Sequence, residues 1–138
     1  MLELIAFKPS HLADIDPPRL FREPMRRFAM AYCESGPALT FVEDGRVLGC
    51  SGLVIENREA RVWAFFSSLF RAQPQSLHRD LKRGLPRVKR HYRLEHILAE
   101  VHPDHRPSRR WLEKLGFRFD GVGRRCPVSG ERPLRYVY

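Results

Sequence analysis

Through the middle of the chain the apolar residues switch from strand to helix periodicity and back, and this switch constrains the fold more than any other feature. Ala38 to Glu43, Arg46 to Glu56 and Ala60 to Ser67 read as strands, in the last of which Val62, Ala64 and Phe66 alternate against Trp63 and Phe65. From Pro74 to about His91, Leu77, Leu81, Leu85 and Val88 fall on one helical face, with Pro74 suited to a first helical position. Leu94 to His102 alternates again, with Ile97, Ala99 and Val101 on one face and Leu98, Glu100 and His102 on the other. A helix between two strands is a crossover, so the strands ending near Ser67 and starting near Leu94 are expected to run parallel.

The flanking segments complete the pattern. Leu2 to Phe7 is a first strand, closed by Lys8-Pro9-Ser10. Ser10 is placed to cap a short turn through Asp16, Pro17-Pro18 interrupts, and Leu20 to Cys33 sets Phe21, Met25, Phe28 and Tyr32 on one stripe. Asp44-Gly45 is a two-residue hairpin signal, and Gly49 and Gly52 in the following strand allow a bulge or a close backbone approach. Gly84 and Pro86 should fray or kink the second half of the long helix. Pro107 opens a short helix through Leu115, Gly116 follows its end, and Phe117 to Cys126 and Leu134 to Tyr138 are the last strands. The order predicts an α+β fold with a central mixed, mostly antiparallel sheet of about seven strands flanked by helices.

At 138 residues, 43% hydrophobic, with nine Phe, four Tyr and two Trp, residues 1–138 are expected to form a single domain with one core. No apolar run approaches the roughly 18 residues that span a bilayer, and the N-terminus lacks the pattern of a secretory signal, so a cytoplasmic protein is expected. Cys33, Cys50 and Cys126 are odd in number and far apart, which predicts free thiols. His102, Asp104 and His105 match no common metal-site spacing, so no metal is assigned. The formal charge of +9 fits a phosphate-bearing or acidic partner, or simply a soluble surface rich in arginine.

The element order, the Asp44-Gly45-Arg46-Val47-Leu48-Gly49 hairpin and the run Glu113-Lys114-Leu115-Gly116-Phe117 resemble the GNAT-type N-acetyltransferases, and the chain is especially similar to the divergent acetyltransferase-like proteins of tailed phages and prophages. The resemblance implies a GNAT-like fold and transfer of an acetyl group from acetyl-CoA to an amine on a small molecule or protein. It places pantetheine against the strand before the crossover helix, at Phe65, Phe66, Ser67 and Ser68, and the pyrophosphate at the N-terminus of that helix, near Arg71, Gln73 and Ser76. It also puts His105 where an asparagine often faces the coenzyme, with Ser108 beside it. Two positions depart from the family pattern. Reading from Arg71 puts Pro74 and Ser76 at the small-residue positions of the phosphate loop, reading from Gln73 puts Ser76 and His78 there, and Leu112 occupies the place of the tyrosine acid.

Deprotonating an ammonium substrate requires a base, and Glu100 and His102, two apart on one strand face, are the first candidates, with Glu56 at the end of another strand. The plainer alternative pairs Glu100 with an arginine and leaves His102 as an exposed strand end. Cys50 lies in an apolar strand, where packing explains it better than nucleophilic chemistry. Two functions remain open. One is an acetyl-CoA dependent N-acetyltransferase. The other is a catalytically degenerate member of the fold serving as a phage structural or assembly protein, in a virion, or as a protein- or nucleic-acid-binding module. In that second function a phage or host partner meets the basic face, Arg79, Lys82, Arg83, Arg87, Lys89 and Arg90, and the aromatic stretch Tyr136-Val137-Tyr138.

Overall fold

A computed structural model of the chain describes residues 2–17, 22–31, 36–67, 75–125 and 130–138. Its elements are β1 (Leu2–Ala6), a 3-10 helix (Pro9–Asp14), α1 (Arg22–Ala31), β2 (Ala38–Glu43), β3 (Arg46–Glu56), β4 (Glu59–Phe66), α2 (Gln75–His91), β5 (His96–Val101), α3 (Arg106–Leu115), β6 (Arg118–Val122) and β7 (Leu134–Val137). The seven strands form a sheet in the order β1-β2-β3-β4-β5-β7-β6. The chain contacts gather into two compact units, Met1–Ile55 with Val62–Gln73 and Glu56–Arg61 with Pro74–Tyr138.

In the first unit β1 runs antiparallel to β2, from Leu2 opposite Glu43 to Ala6 opposite Leu39, and β2 antiparallel to β3. Asp44 and Gly45 turn between them with φ of 50° and 76°, the doubly positive geometry that matches the twist of paired strands. The register then steps from Val42 opposite Val47 to Phe41 opposite Gly49, so Leu48 is the extra residue of a bulge. Leu48 turns its carbonyl to the Ser67 amide, 2.7 Å away. Gly49 fits here because a Cβ would stand 2.9 Å from the Phe65 carbonyl oxygen and 2.4 Å from the Phe66 ring. The core joins Leu12, Ile15, Cys50, Trp63 and Phe65, with Phe7, Met25 and Val54 packed against it. Phe66, on the opposite face of β4, stacks on the fully buried Phe41 at 5.7 Å. Ser10 is not the cap of the short helix: Pro9 fixes the first helical position, and the Lys8 amide donates to His11 Nδ1 from outside it. Phe21 and Tyr32 of the predicted stripe lie outside the described residues.

In the second unit α2 continues unbroken through Gly84 and Pro86 to His91, so the expected fraying is absent. An amphipathic helix packed along one apolar face tolerates the loss of a single backbone donor. Leu81, Leu85 and Val88 are half-buried on that face. Ile97, Leu98 and Ala99 of β5 are all buried, as expected of a strand covered on both faces. The strand β7 lies antiparallel between β5 and β6, which leaves Tyr136 with no exposed surface. Tyr136 therefore cannot meet a partner, contrary to the expectation for the aromatic C-terminal stretch; Val137 and Tyr138 are half-buried. The sixth strand ends at Val122, earlier than expected, after a register shift between Phe119 and Val122.

Candidate active site

The C-terminal end of β5 delivers Glu100 and His102 to the surface of the second unit. Glu100 is exposed and stands opposite Arg135 in the β5–β7 register. That arginine instead holds Asp120 of β6, Nε to Oδ2 at 3.3 Å. Among the described residues Glu100 makes no ion pair. Its carboxyl carbon lies against Gly123, 3.7 Å from where a Cβ would stand.

His102 is held from both sides. The Asp104 amide donates to Nδ1 at 3.2 Å, which places the ring proton of the neutral imidazole on Nε2, and Nε2 meets the Glu131 carboxylate. With both nitrogens engaged, this histidine is built to position neighbouring groups, and the free carboxylate is that of Glu100. Glu131 was not visible in the sequence as a site residue: it lies in the irregular stretch before β7, and no periodicity or motif marks it.

Glu56 is exposed at the end of β3, beside the turn in which the Arg58 carbonyl accepts the Glu95 amide at 2.6 Å. Glu100 lies five residues beyond Glu95, roughly 16 Å further along at 3.3 Å per residue. The structure brings His102 near Glu100 and leaves Glu56 apart from both.

Of the coenzyme candidates, His105 and Ser108 come together at the start of α3, His105 Nδ1 bonding the Ser108 hydroxyl. Burial first, and the neighbouring His102 second, hold the His105 imidazole below its ordinary pKa of 6.5. The amide of Ser67 is already committed to Leu48, and Ser67 is 8% exposed. Phe65 is in the core and Phe66 packs on Phe41. Ser68, Arg71, Gln73 and Pro74 lie outside the described residues, and Ser76 falls in the first turn of α2. That first turn carries no acidic residue, so nothing competes with an anion for the positive end of a 17-residue helix. To this extent the helix fits a pyrophosphate. Leu112, which the resemblance sets where a tyrosine acid would stand, is buried with Leu115 beneath α3 and donates no proton.

Cys50 is fully buried, and desolvation pushes its thiol up to about 11. The Lys8 amide and the Thr40 hydroxyl both point to His11 Nδ1, at 3.1 and 2.7 Å. With the Thr40 proton so used, the Cys50 S–H donates to Thr40 Oγ1 at 3.5 Å. This is a structural relay, as packing predicted. Cys33 and Cys126 lie outside the described residues. Among the described residues no group of three His, Cys, Asp or Glu side chains can hold a metal ion, and no helix is long and apolar enough to cross a membrane.

No protein-family model and no curated protein matches the sequence. Solved structures do match in fold. Ard1 from Thermoplasma volcanium superposes with a TM-score of 0.73 at 16% identity, over 99% of this chain and 96% of that one. The ribosomal-protein-S18-alanine N-acetyltransferase from Escherichia coli gives 0.72 at 16% identity, over 99% and 91%. A GNAT-family acetyltransferase from Bacillus anthracis gives 0.71 at 15% identity, over 99% and 93%.

Proposed function

From the GNAT-type N-acetyltransferase fold that the chain adopts, we propose that it transfers an acetyl group from acetyl-CoA to an amine by direct attack. The observation that carries this reading is the likeness along the whole length: acetyltransferases of nearly the same size align with 99% of the chain. The residues that the resemblance names for the coenzyme are the ones to test: Phe65, Phe66, Ser67 and Ser68 for its pantetheine, Arg71, Gln73 and Ser76 for its phosphates, and His105 and Ser108. When bound, the coenzyme supplies the activated acyl group.

The work of the chain is then to deprotonate and orient. Glu100, exposed and without an ion pair among the described residues, takes the proton of the incoming ammonium. His102, fixed by Asp104 and Glu131, holds the end of β5 in place beside it. Glu56 is too far along the sheet to share this proton, and Leu112 gives none to the departing sulfur. Two neighbours are named for acetylating the alanine of a ribosomal protein, so an N-terminal α-amine is the first acceptor to test.

The decisive experiment incubates the protein with acetyl-CoA and a panel containing an alanine-initiated peptide, a polyamine and a small monoamine, and follows acetylation by mass spectrometry. A gain of one acetyl group on an amine, lost in Glu100→Gln, is the expected result. Saturable coenzyme binding with no product would favour the second reading, a binding protein without turnover, for which the buried Leu112 is the supporting observation. Neither binding nor product would overturn the acetyltransferase reading and leave the second, a degenerate member of the fold that binds a protein or nucleic-acid partner.

A further inference from the structure

We infer that the cleft at the C-terminal end of α2 is a phosphate-binding pocket, and that together with the basic stripe on α2 it takes the phosphate backbone of a nucleic acid. The cleft, of about 560 Å³, is lined by Arg58, Lys89, Arg90 and Arg93 over Leu94 and Tyr138. All of these residues lie within the second unit.

Cations near a helix C-terminus ordinarily answer the helix's own carbonyls. Here backbone amides already bond two of those carbonyls. The Leu94 amide donates to the Lys89 carbonyl at 2.8 Å and the Arg93 amide to the Arg90 carbonyl at 3.2 Å, the paired bonds of a closed helix end. Such an end needs a residue with positive φ, and at the end of α3 Gly116 supplies it with φ 105°. At the end of α2 the residue is Arg93, held at φ 53°. An arginine where glycine is favoured sets a charged side chain at the cleft at a cost in backbone strain. Lys89 is fixed with its ammonium 5.6 Å from the centre of the Tyr138 ring, and Arg58 is anchored by Glu95 at 3.2 Å.

The pocket continues outward as a row. Arg79, Arg83, Arg87 and Arg90 share one exposed face of α2, spanning roughly 16 Å at 1.5 Å per residue. Among the described residues none of the four is ion-paired, and Asp80 is the single acid in the helix. Like charges one turn apart repel, so an uncompensated row is complementary to a row of phosphates and exceeds what one small anion requires.

The test measures binding of a fluorescently labelled oligouridine strand by anisotropy between about 50 and 200 mM salt. The expected result is salt-dependent binding that Arg90→Gln/Arg93→Gln weakens roughly tenfold while lowering the salt slope by about one to two. Arg93→Gly, which relaxes the backbone and so keeps the fold, should also weaken binding several-fold. Removal of two charges from α1, in Arg22→Gln/Arg26→Gln, should leave affinity within about twofold. An equal loss from the α1 variant, or no binding by the parent protein, would overturn the inference. Displacement of the strand by pyrophosphate at equal phosphate concentration would assign the pocket to a small phosphorylated ligand, and displacement by polyglutamate would reduce it to a general polyanion surface; either would overturn the nucleic-acid assignment.

Discussion

Glu100 and His102 sit two residues apart in the sequence, yet their surroundings give them different work. An exposed carboxylate beside Gly123 is open to an amine, while an imidazole bonded at both nitrogens is not. Replacing Glu100 by Gln keeps size and hydrogen bonding and removes only the basicity, so turnover of whichever amine is acetylated should fall by about 10²- to 10⁴-fold with coenzyme binding unchanged, measured by initial rates and titration calorimetry. His105 carries a separate pH signature. Its native pKa lies below 6.5, so the unfolded chain binds the proton more readily, and acidification from about 6.5 down through the native value removes stability. His102, Asp104 and Glu131 face the same corner. Urea midpoints at neutral and mildly acidic pH should therefore converge in His105→Asn, which cannot be protonated, relative to the parent protein. At Cys50 a thiol pushed up to about 11 has roughly a thousandth of its population as thiolate at pH 8, so peptide mapping should find it alkylated only after denaturation. At this scale the sequence showed Glu100 and His102 two apart at the end of a strand, which the structure closes at Val101, one residue short of His102. Glu131 was not legible, because its partnership depends on a return of the chain that leaves no periodic trace.

The helices and strands were readable wherever backbone conformation has a residue signature. Asp44-Gly45 announced its turn, Leu115-Gly116 its helix end, and the glycines of β3 their bulge and close approach. Gly49→Ala tests that last point: the nearest obstacle includes the Phe65 carbonyl at 2.9 Å, and overpacking of this kind costs about 1–3 kcal/mol, to be read as a lower midpoint in chemical denaturation. Where signatures conflict, the sequence misled. Gly84 and Pro86 spoke against a continuous helix, and the apolar face of α2 outweighed them. Arg93 gave no sign of a helix end because the residue in that place is not glycine. Its left-handed backbone carries a cost of about 1 kcal/mol, so Arg93→Gly should raise the denaturation midpoint even as it weakens the binding inferred for the pocket. Opposite effects on stability and affinity would separate a residue kept for its charge from one kept for its fold.

Across the whole molecule the net charge of +9 draws any polyphosphate toward the surface, coenzyme and nucleic acid alike, so attraction alone identifies neither. Stabilisation distinguishes a site from a field, because a ligand held by the folded chain shifts the unfolding equilibrium by mass action. At about 150 mM salt, where exposed charges are screened beyond roughly 8 Å, acetyl-CoA at a hundred times its dissociation constant should stabilise the protein by about 2.7 kcal/mol. For a chain of this size that amounts to a rise in Tm of roughly 8 °C. Inorganic pyrophosphate at the same concentration should give far less, because it lacks the pantetheine arm that β4 is proposed to hold. Equal shifts from the two ligands would mean that only the charged end is bound, and no shift from either would sink the acetyl-CoA reading. A shift from acetyl-CoA that persists in Arg93→Gly would further show that the coenzyme and the α2 pocket are separate sites, the outcome expected if the first turn of α2 holds one set of phosphates and its last turn another.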